Sequence, residues 1–341
     1  MANIKFRWTL PLLLIAQTAI FGKEHALIIC HPGPHTIDEI DPGTGKVLKT
    51  LQVADQPHEC VMSPDSKTIF ATLPSAGEVV IIDAGTLTQT GKIESEYFKT
   101  PPHKQGRGDK MTTSASPHAL GMNNNGTKLY VGLSYREAPG VVVYDVKAGK
   151  ILKKIDLPVS GEFLAVQPKT DKLYYPNREG VVVIDTKTDT VLKTIPVKGQ
   201  ATGADFAPNG DVWISSNGDG SVTVIDGKKD EIVKVIQTEG TGAGRMAISP
   251  NGKWAAASHT KTKDVVLFDA VTKEIVATVS VGAGPSLPVF SPDSKTVYVA
   301  TAGESCATAG CPGRISVVDV AEKKRVAEHV VADDAFALIV R

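Results

Sequence analysis

The hexapeptide "SPDSKT", at residues 63–68 and again at 291–296, decides the fold, because a repeated turn indicates a repeated structural unit. Four related turns lie between the two copies: NNNGTK at 123–128, QPKTDK at 167–172, APNGDV at 207–212 and SPNGKW at 249–254. The starts of successive turns lie mostly 40 to 44 residues apart, with one interval of 60. A period of this length with several short strands per unit is typical of a β-propeller blade.

Each repeat unit contains four apolar runs in a constant order. One unit continues after its turn with KLYVGL at 128–133, GVVVYDV at 140–146 and KILKKIDL at 150–157. These runs are rich in β-branched residues and are separated by turn residues, which predicts short strands joined by turns. Beyond the first residues of the chain no stretch has helical periodicity, so the sequence predicts an all-β protein.

The number of units follows from their third strands. Seven such strands are found, at 35–41, 78–83, 140–146, 180–186, 221–227, 264–269 and 314–319. The first unit begins at its second strand (26–30), and an unaccompanied first strand (335–341) remains at the other end of the sequence. Joining the two partial units in one sheet leaves no open edge in the ring. We therefore expect residues 23–341 to form a single seven-bladed β-propeller with four-stranded antiparallel blades, closed by the C-terminal strand.

The recurring pattern SP(D/N)(G/S)K-x-x-YVA, followed by V-x-VID and VV-x-TI-x-V-G, resembles the YVTN-type β-propeller repeat, and the resemblance covers nearly all of residues 24–341. The sequence is similar to propellers of surface-layer and periplasmic proteins. It is more distantly similar to cytochrome d1-type and quinoprotein-associated propellers. The resemblance implies the fold, whereas the functions of the family vary. No Cys-x-x-Cys-His haem-attachment motif occurs, so the catalytic residues of these relatives have no counterpart that can be placed here.

The first residues have the layout of a secretory signal peptide. Lys5 and Arg7 precede an apolar stretch from Trp8 to Phe21, and small residues surround a cleavage position near Gly22. The stretch is short and interrupted by proline, which disfavours a membrane span. We therefore expect residues 1–22 to be removed, the mature protein to be secreted or periplasmic, and no membrane span to remain.

The charge of the chain is balanced. Lys plus Arg and Asp plus Glu number 37 each, and removal of the predicted signal peptide leaves 35 against 37. Without a basic excess, a nucleic-acid partner is not favoured. The expected partner is a small molecule or a protein bound at the mouth of the central channel, with the propeller itself monomeric.

Four cysteines in an exported chain raise the question of pairing. Cys306 and Cys311 lie in a short loop rich in Gly and Ala, which favours a local disulfide. Cys30 and Cys60 lie in or beside apolar strands, where buried free cysteines are common. The sequence leaves open whether Cys30 and Cys60 pair.

The loops sort the polar side chains by face. In a propeller, the loops that lead into the innermost strands open on the same face as the loops between second and third strands, and we name this the mouth face. Six of the eight histidines map to it: His31, His35, His58, His103, His118 and His259. The 60-residue interval is explained by an insertion at 95–118 on this face, which could cover the mouth. The candidate ligand-binding residues are His31, His58, Glu59, His103, His118, Glu162, Arg178, Arg245 and His259.

Three functions are compatible with this histidine-rich face. The first is binding of a ligand, a protein or a divalent metal, with His31, His58 and His118 as candidate ligands to Zn²⁺ or Cu²⁺, which neutral imidazole suits. The second is a lyase or hydrolase acting on a small or carbohydrate-like anion, with a histidine as general base and Arg245 or Arg178 stabilising a carboxylate or enolate. The third is a cell-envelope scaffold in which this face does no chemistry. Two structural readings of single residues stay open beside these functions: His58 and His118 could be only part of the repeat, and Arg245 and Glu162 could form a structural ion pair.

Overall fold

The structure, a computed structural model, describes residues 25–104, 111–114, 117–168, 170–301 and 312–341, and side chains are described for these residues except 100–104 and 111–114. The predicted signal peptide and the predicted Cys306–Cys311 disulfide therefore lie outside the described residues, as does the side chain of His103.

The described strands form seven four-stranded antiparallel sheets, as predicted, and one further hairpin. Blade 1 begins with β1 (Leu27–His31), β2 (Thr36–Ile40) and β3 (Val47–Gln52). Blade 2 contains β4 (Cys60–Met62), β5 (Thr68–Leu73), β6 (Glu78–Asp83) and β7 (Thr88–Glu94). A 3₁₀ helix (Glu96–Phe98) then leads into the hairpin of β8 (Lys99–Lys104) and β9 (Met111–Ser114). In the part of the chain that the structure describes, no helix is long and apolar enough to cross a membrane.

The remaining blades follow in chain order. Blade 3 contains β10 (Pro117–Met122), β11 (Lys128–Leu133), β12 (Gly140–Asp145) and β13 (Lys150–Asp156). Blade 4 contains β14 (Ala165–Val166), β15 (Lys172–Asn177), β16 (Gly180–Asp185) and β17 (Thr190–Ile195). Blade 5 contains β18 (Ala201–Phe206), β19 (Asp211–Ser216), β20 (Val222–Asp226) and β21 (Glu231–Ile236).

Two blades complete the ring. Blade 6 contains β22 (Ala243–Ile248), β23 (Trp254–His259), β24 (Asp264–Asp269) and β25 (Glu274–Ser280). Blade 7 contains β26 (Pro288–Phe290), β27 (Thr296–Thr301), β28 (Pro312–Asp319) and β29 (Lys324–Asp333). The last strand, β30 (Leu338–Val340), returns to blade 1 as its innermost strand.

The predicted closure by the C-terminal strand is confirmed. β30 pairs antiparallel with β1, with Ile29 opposite Leu338 and Leu27 opposite Val340. Beyond the strands, the Arg341 guanidinium lies 2.6 Å from a Glu39 carboxylate oxygen of β2. Blade 1 therefore consists of three strands from one end of the sequence and one strand from the other.

The SPDSKT turn is stabilised by its own side chains. The Ser63 hydroxyl donates to an Asp65 carboxylate oxygen at 2.7 Å and accepts from the Thr68 N–H at 2.9 Å, while Ser66 has a φ of +58°. The second copy has the same bonds, Ser291 to Asp293 at 2.6 Å and Thr296 N–H to Ser291 at 3.0 Å. The turn is therefore encoded locally, which explains why the same letters recur in different blades.

Side chains of alternate residues on each strand face the two neighbouring blades. On β1, Leu27 and Ile29 pack with blade 7, whereas Ile28 and Cys30 pack with blade 2. Polar contacts also recur between blades, since the Tyr130 hydroxyl donates to Asp189 at 2.8 Å. The same contact links Tyr174 to Asp230 at 2.7 Å one blade further. Each blade is thus held by both of its neighbours.

A substitution in the closing strand tests its contribution. Leu338 is fully buried, so Leu338→Ala should lower the free energy of unfolding by about 2–5 kcal/mol through lost burial and a residual cavity. Val330→Ala on the outer strand β29, where the side chain is 59% exposed, is the control and should cost less than about 1 kcal/mol. Urea unfolding of both variants measures the difference. Equal effects would show that closure by β30 is not a stability determinant.

Candidate functional site

The innermost strands enclose a central channel. Its cavity of about 360 Å³ is lined by the innermost strands and their approaches in all seven blades. Representative lining residues, one per blade from blade 1 to blade 7, are Ile339, Val61, Leu120, Leu164, Ala204, Ala247 and Val289. Most of this lining is apolar, so charged groups at its ends lie in a poorly solvated environment.

A buried ion pair crosses the channel at the mouth face. Glu59 directly precedes β4 of blade 2, and Arg245 lies on β22 of blade 6. The two side chains form a bidentate pair, with Nη1 donating to Oε2 at 2.9 Å and Nη2 donating to Oε1. Glu59 is 8% and Arg245 is 6% exposed. Because blades 2 and 6 are not neighbours in the ring, the pair connects opposite sides of the channel.

An irregularity in β22 helps to place Arg245. The register between β22 and β23 shifts between Ala243 and Met246, so that Gly244 and Arg245 fall in the irregular stretch. Such bulges redirect a side chain relative to a regular strand. This local shift positions the guanidinium of Arg245 at the channel mouth.

Two phenylalanines surround the guanidinium. The Arg245 Cζ atom lies 3.6 Å from the ring centroid of Phe163, in the loop before β14 of blade 4, and 5.3 Å from that of Phe336, just before β30. Both distances are within the range of cation–π attraction. We name Glu59, Phe163, Arg245 and Phe336 the clasp, because side chains from four blades meet across the channel.

Two histidines lie against the clasp. The rings of His58 and His118 have centroids 4.0 Å apart at a tilt of 47°, and the His58 ring lies 4.2 Å from that of Phe336. The His118 Nδ1–H donates to the Glu162 carbonyl oxygen at 2.7 Å. His58 Nδ1 lies 3.6 Å from the Glu59 carboxylate. The histidine pair and the clasp are therefore one continuous group of side chains.

Burial and the Arg245 charge keep both imidazoles neutral. Burial lowers the pKa of His58 to about 2, with further lowering by His118 and Arg245. Burial also lowers the pKa of His118 to about 4, although its bond to the Glu162 carbonyl opposes the shift. At Glu59, burial raises the pKa of the carboxyl while Arg245 acts in the opposite direction.

A second cavity adjoins the clasp on the mouth face. This groove, of about 370 Å³, lies between blades 3, 4 and 5. Its polar and charged lining residues are His118, Ser134, Arg136, Ser160, Glu162, Asn177, Arg178, Gln200, Thr202 and Asn217. A smaller cavity of about 190 Å³ lies over Arg245 and shares Glu162, Thr202 and Asn217 with the groove. The clasp and the groove therefore form one connected surface.

The groove carries two arginines without carboxylate partners. Arg136 and Arg178 are both exposed, and neither forms an ion pair with any residue that the structure describes. Among the described lining residues Glu162 is the single carboxylate and His118 is neutral, so these residues carry two positive groups and one negative group, a formal charge of +1. The groove is thus polar and weakly positive.

The structure brings only some of the sequence candidates together. His58, Glu59, His118 and Arg245 are in contact, and Glu162 and Arg178 line the adjacent groove. The predicted alternative of a structural Glu162–Arg245 pair is wrong, because Glu59 is the partner of Arg245. Sequence reasoning missed Phe163, Phe336 and Arg136 as site residues. In the sequence, only their positions in or beside the loops of the mouth face could have identified these three residues.

His31 and His259 lie inside blades. His31 is fully buried, with Nδ1 3.2 Å from the Asp333 carbonyl and Nε2 3.6 Å from the Asp38 carboxylate. His259 is equally buried between Asp264, at 3.1 Å, and the Thr238 hydroxyl, at 3.0 Å. Both rings are thus held by partners of their own blades or of adjacent ones.

The predicted metal ligands do not assemble. Among the residues with described positions, no group of three or more His, Cys, Asp or Glu side chains could hold a metal ion. His58 and His118 are in contact, but His31 is turned towards Asp38 and Asp333 instead. The prediction that His31, His58 and His118 come together is therefore corrected: only His58 and His118 are in contact.

The fold and the site define a class: a seven-bladed propeller whose channel mouth is crossed by a buried ion pair. Residues 49–256, more than half of the chain, match the model of the cytochrome D1 heme domain. The chain belongs to that family.

Solved structures show the same fold. The chain is similar to a hydrazine synthase of Kuenenia stuttgartiensis, with a TM-score of 0.67 and 18% identity, covering 85% of this chain and 96% of that chain. It is also similar to a functionally unknown protein of Desulfotomaculum acetoxidans, with a TM-score of 0.73 and 10% identity, covering 92% and 98% of the two chains. At these identities the likeness concerns the fold alone. No curated protein matches the chain.

The haem in the family's name can be tested against the side chains present. His118 has one feature of an axial ligand, because its Nδ1–H is fixed by a carbonyl oxygen. However, the His58 ring lies against it, and the clasp crosses the mouth of the channel. A macrocycle on the channel axis would displace Arg245 from Glu59 and leave a buried carboxylate uncompensated. The described arrangement does not fit a haem, which therefore has no part in the function proposed for the chain.

Breaking the ion pair tests the energetics of the clasp. Arg245→Met should lower the free energy of unfolding by about 3–5 kcal/mol, because Glu59 stays buried without its partner. The double variant Glu59→Gln/Arg245→Met should recover part of this loss. Lys187→Met is the control, since Lys187 pairs with Asp171 on the surface, and it should cost less than about 1 kcal/mol. Chemical denaturation of all three variants provides the comparison, and a double variant that is no more stable than Arg245→Met would contradict a coupled pair.

The neutral histidines predict a dependence of stability on pH. Their pKa values of about 2 and about 4 lie below the value of about 6.5 in an unfolded chain. At pH values between these limits the unfolded state therefore binds more protons than the folded state. The contribution of the two histidines to the free energy of unfolding should be largest above about pH 6.5 and fall as the pH decreases towards 4. The raised pKa values of the buried carboxyls Glu59 and Asp205 act in the opposite direction, so the difference between wild type and the histidine variant is the quantity to compare. His58→Asn/His118→Asn should flatten this decrease. Thermal unfolding at several pH values measures the slope.

His35→Asn is the matched control for the pH series. His35 lies in the turn between β1 and β2 with a φ of +61°, a conformation that asparagine also adopts. This variant should keep the wild-type slope. If His58→Asn/His118→Asn shows the same dependence of stability on pH as the wild type, groups other than these two histidines cause the loss of stability at acid pH.

Proposed function

We propose that the chain is a binding protein for a small carboxylate-bearing anion, held in the groove between blades 3, 4 and 5. The observation that carries the proposal is that Arg136 and Arg178 line one cavity of about 370 Å³ without an ion-pair partner among the described residues. A guanidinium matches a carboxylate with two parallel hydrogen bonds, as Arg245 and Glu59 do in the clasp.

The rest of the groove suits a small polar ligand. Asn177, Gln200, Thr202 and Asn217 supply amide and hydroxyl groups around the arginines, and these groups can both donate and accept hydrogen bonds. The volume lies in the range of small-molecule sites. Glu162, the one carboxylate among the described lining residues, would repel ligands whose negative charge lies on the side of the groove next to the clasp.

The electrostatics of the mouth support binding over catalysis. A general base at neutral pH works best with a pKa near 7, whereas His58 and His118 have values of about 2 and about 4. Arg245 is engaged with Glu59 and is not free to stabilise an enolate, so that role would fall to Arg178 in the groove. These observations disfavour the lyase or hydrolase that the sequence left as an alternative.

The remaining parts of the proposal come from the sequence. They are secretion or a periplasmic location, a monomeric state and a YVTN-type repeat, which is a finer assignment than the family match. A protein partner or a purely structural role on the mouth face would be the alternative if no small anion binds.

Calorimetric titration with acetate, succinate and citrate at low ionic strength tests the proposal. We expect binding of at least one of these anions, weakened as ionic strength rises because exposed charges are screened. Arg136→Gln/Arg178→Gln should reduce the affinity at least tenfold, the effect of losing about 1.4 kcal/mol of binding free energy. Arg325→Gln on the outer strand β29 is the control and should bind like wild type. No heat of binding with any of the three anions, or equal affinity in the double variant, would refute the proposal.

A further inference from the structure

Two buried cysteines lie in one apolar cluster between blades 1 and 2. Cys30 lies on β1 and Cys60 begins β4, and both thiols are free in the structure. Cys30 is fully buried and Cys60 is 8% exposed. Both side chains belong to one buried apolar cluster, and the neighbouring Cys60 thiol is the largest cause that raises the pKa of the Cys30 thiol. They are therefore a pair in space although they are far apart in the sequence.

The strands hold both thiols in place. Cys30 belongs to the side of β1 that packs with blade 2, in one apolar cluster with Cys60, Ile69 and Ala71. The backbone of Cys30 is fixed on its other side, because its N–H donates to the Ala337 carbonyl at 2.9 Å and its carbonyl accepts from Phe336 at 3.1 Å. Cys60 directly follows the clasp residue Glu59.

We propose that Cys30 and Cys60 form a disulfide that joins blade 1 to blade 2 at the closure of the ring. The oxidant is a small external disulfide such as oxidised glutathione. The sulfur of Cys60, the more exposed of the two, attacks this disulfide and releases one glutathione thiol. The sulfur of Cys30 then displaces the second glutathione. One S–S bond forms in the protein, one breaks in the oxidant, and the two protons and two electrons of the protein thiols pass to the two glutathione thiols.

The location gives the bond a consequence for closure. β1 is the strand that pairs with β30, and β4 is the innermost strand of blade 2 beside it. A covalent link from β1 to β4 encloses β2 and β3 of blade 1 in a loop and restricts the unfolded chain. The oxidised protein should therefore resist thermal unfolding better than the reduced protein. This effect is independent of anion binding in the groove.

In the folded protein the reaction should be slow. The hydrogen bond from Cys60 and burial raise the pKa of the Cys30 thiol well above its usual value, so little reactive thiolate is present. Oxidation is therefore best tested during refolding, when the thiols are accessible and native packing selects the pair.

The experiment uses the full chain with Cys306→Ser/Cys311→Ser, so that only Cys30 and Cys60 remain of the four cysteines. The reduced protein is refolded from denaturant with reduced and oxidised glutathione, free thiols are alkylated, and the intact mass and non-reduced peptide map are recorded. We expect a monomer lighter by two hydrogens, with the peptides of Cys30 and Cys60 linked. Its melting temperature should exceed that of the reduced form by several degrees, and dithiothreitol should abolish the difference.

The other outcomes contradict the proposal. Alkylation of both thiols in the refolded protein, stable glutathione adducts or a dimer linked between chains would each show that the pair does not form. A linked protein with an unchanged melting temperature would refute the role in closure. Cys60→Ala in the same background is the matched control, since it keeps Cys30 and should show no dependence of the melting temperature on redox state.

Discussion

The pairing of β30 with β1 is the constraint on which the rest of the ring depends. A single blade has two apolar faces, and each face is buried only when the neighbouring blades are present. Without the strand Leu338–Val340, blade 1 would lack its innermost strand. The approach to that strand also supplies Phe336, which packs against both Arg245 and His58. Closure therefore determines both the packing of the blades and the composition of the channel mouth.

Charge is distributed differently at the centre and at the side of the mouth face. In the clasp, Glu59 and Arg245 neutralise each other and the adjacent imidazoles stay uncharged because they are poorly solvated. In the groove, Arg136 and Arg178 remain in contact with solvent. The charges at the centre are thus paired with each other, while the side keeps exposed positive charge.

The fold could be read from the sequence because its determinants are local. The hydrogen bond between Ser63 and Asp65 forms within one turn, so the same turn forms wherever this sequence motif recurs. The mouth was predictable only in part: loop position placed His58, His118 and Arg245 on one face, but it does not determine the direction of a ring. His31 and His259 turn into the blades, where they lie beside Asp38 and Asp264, and this orientation depends on side-chain packing. From the sequence alone, Phe336 could not be distinguished from a phenylalanine of the hydrophobic core, because no motif around it marks it as a residue of the channel mouth.

The hydrogen bonds between Ala26 and Arg341 have a practical consequence for orientation. Each residue donates its backbone N–H to the carbonyl of the other at 2.8 Å, so the two positions lie side by side. They are on the face of the SPDSKT turns, opposite the mouth face, because β30 runs away from the mouth and β1 runs towards it. Any chain that continues from either position leaves on that side. A propeller tethered to a surface through either residue would keep its groove turned towards solvent.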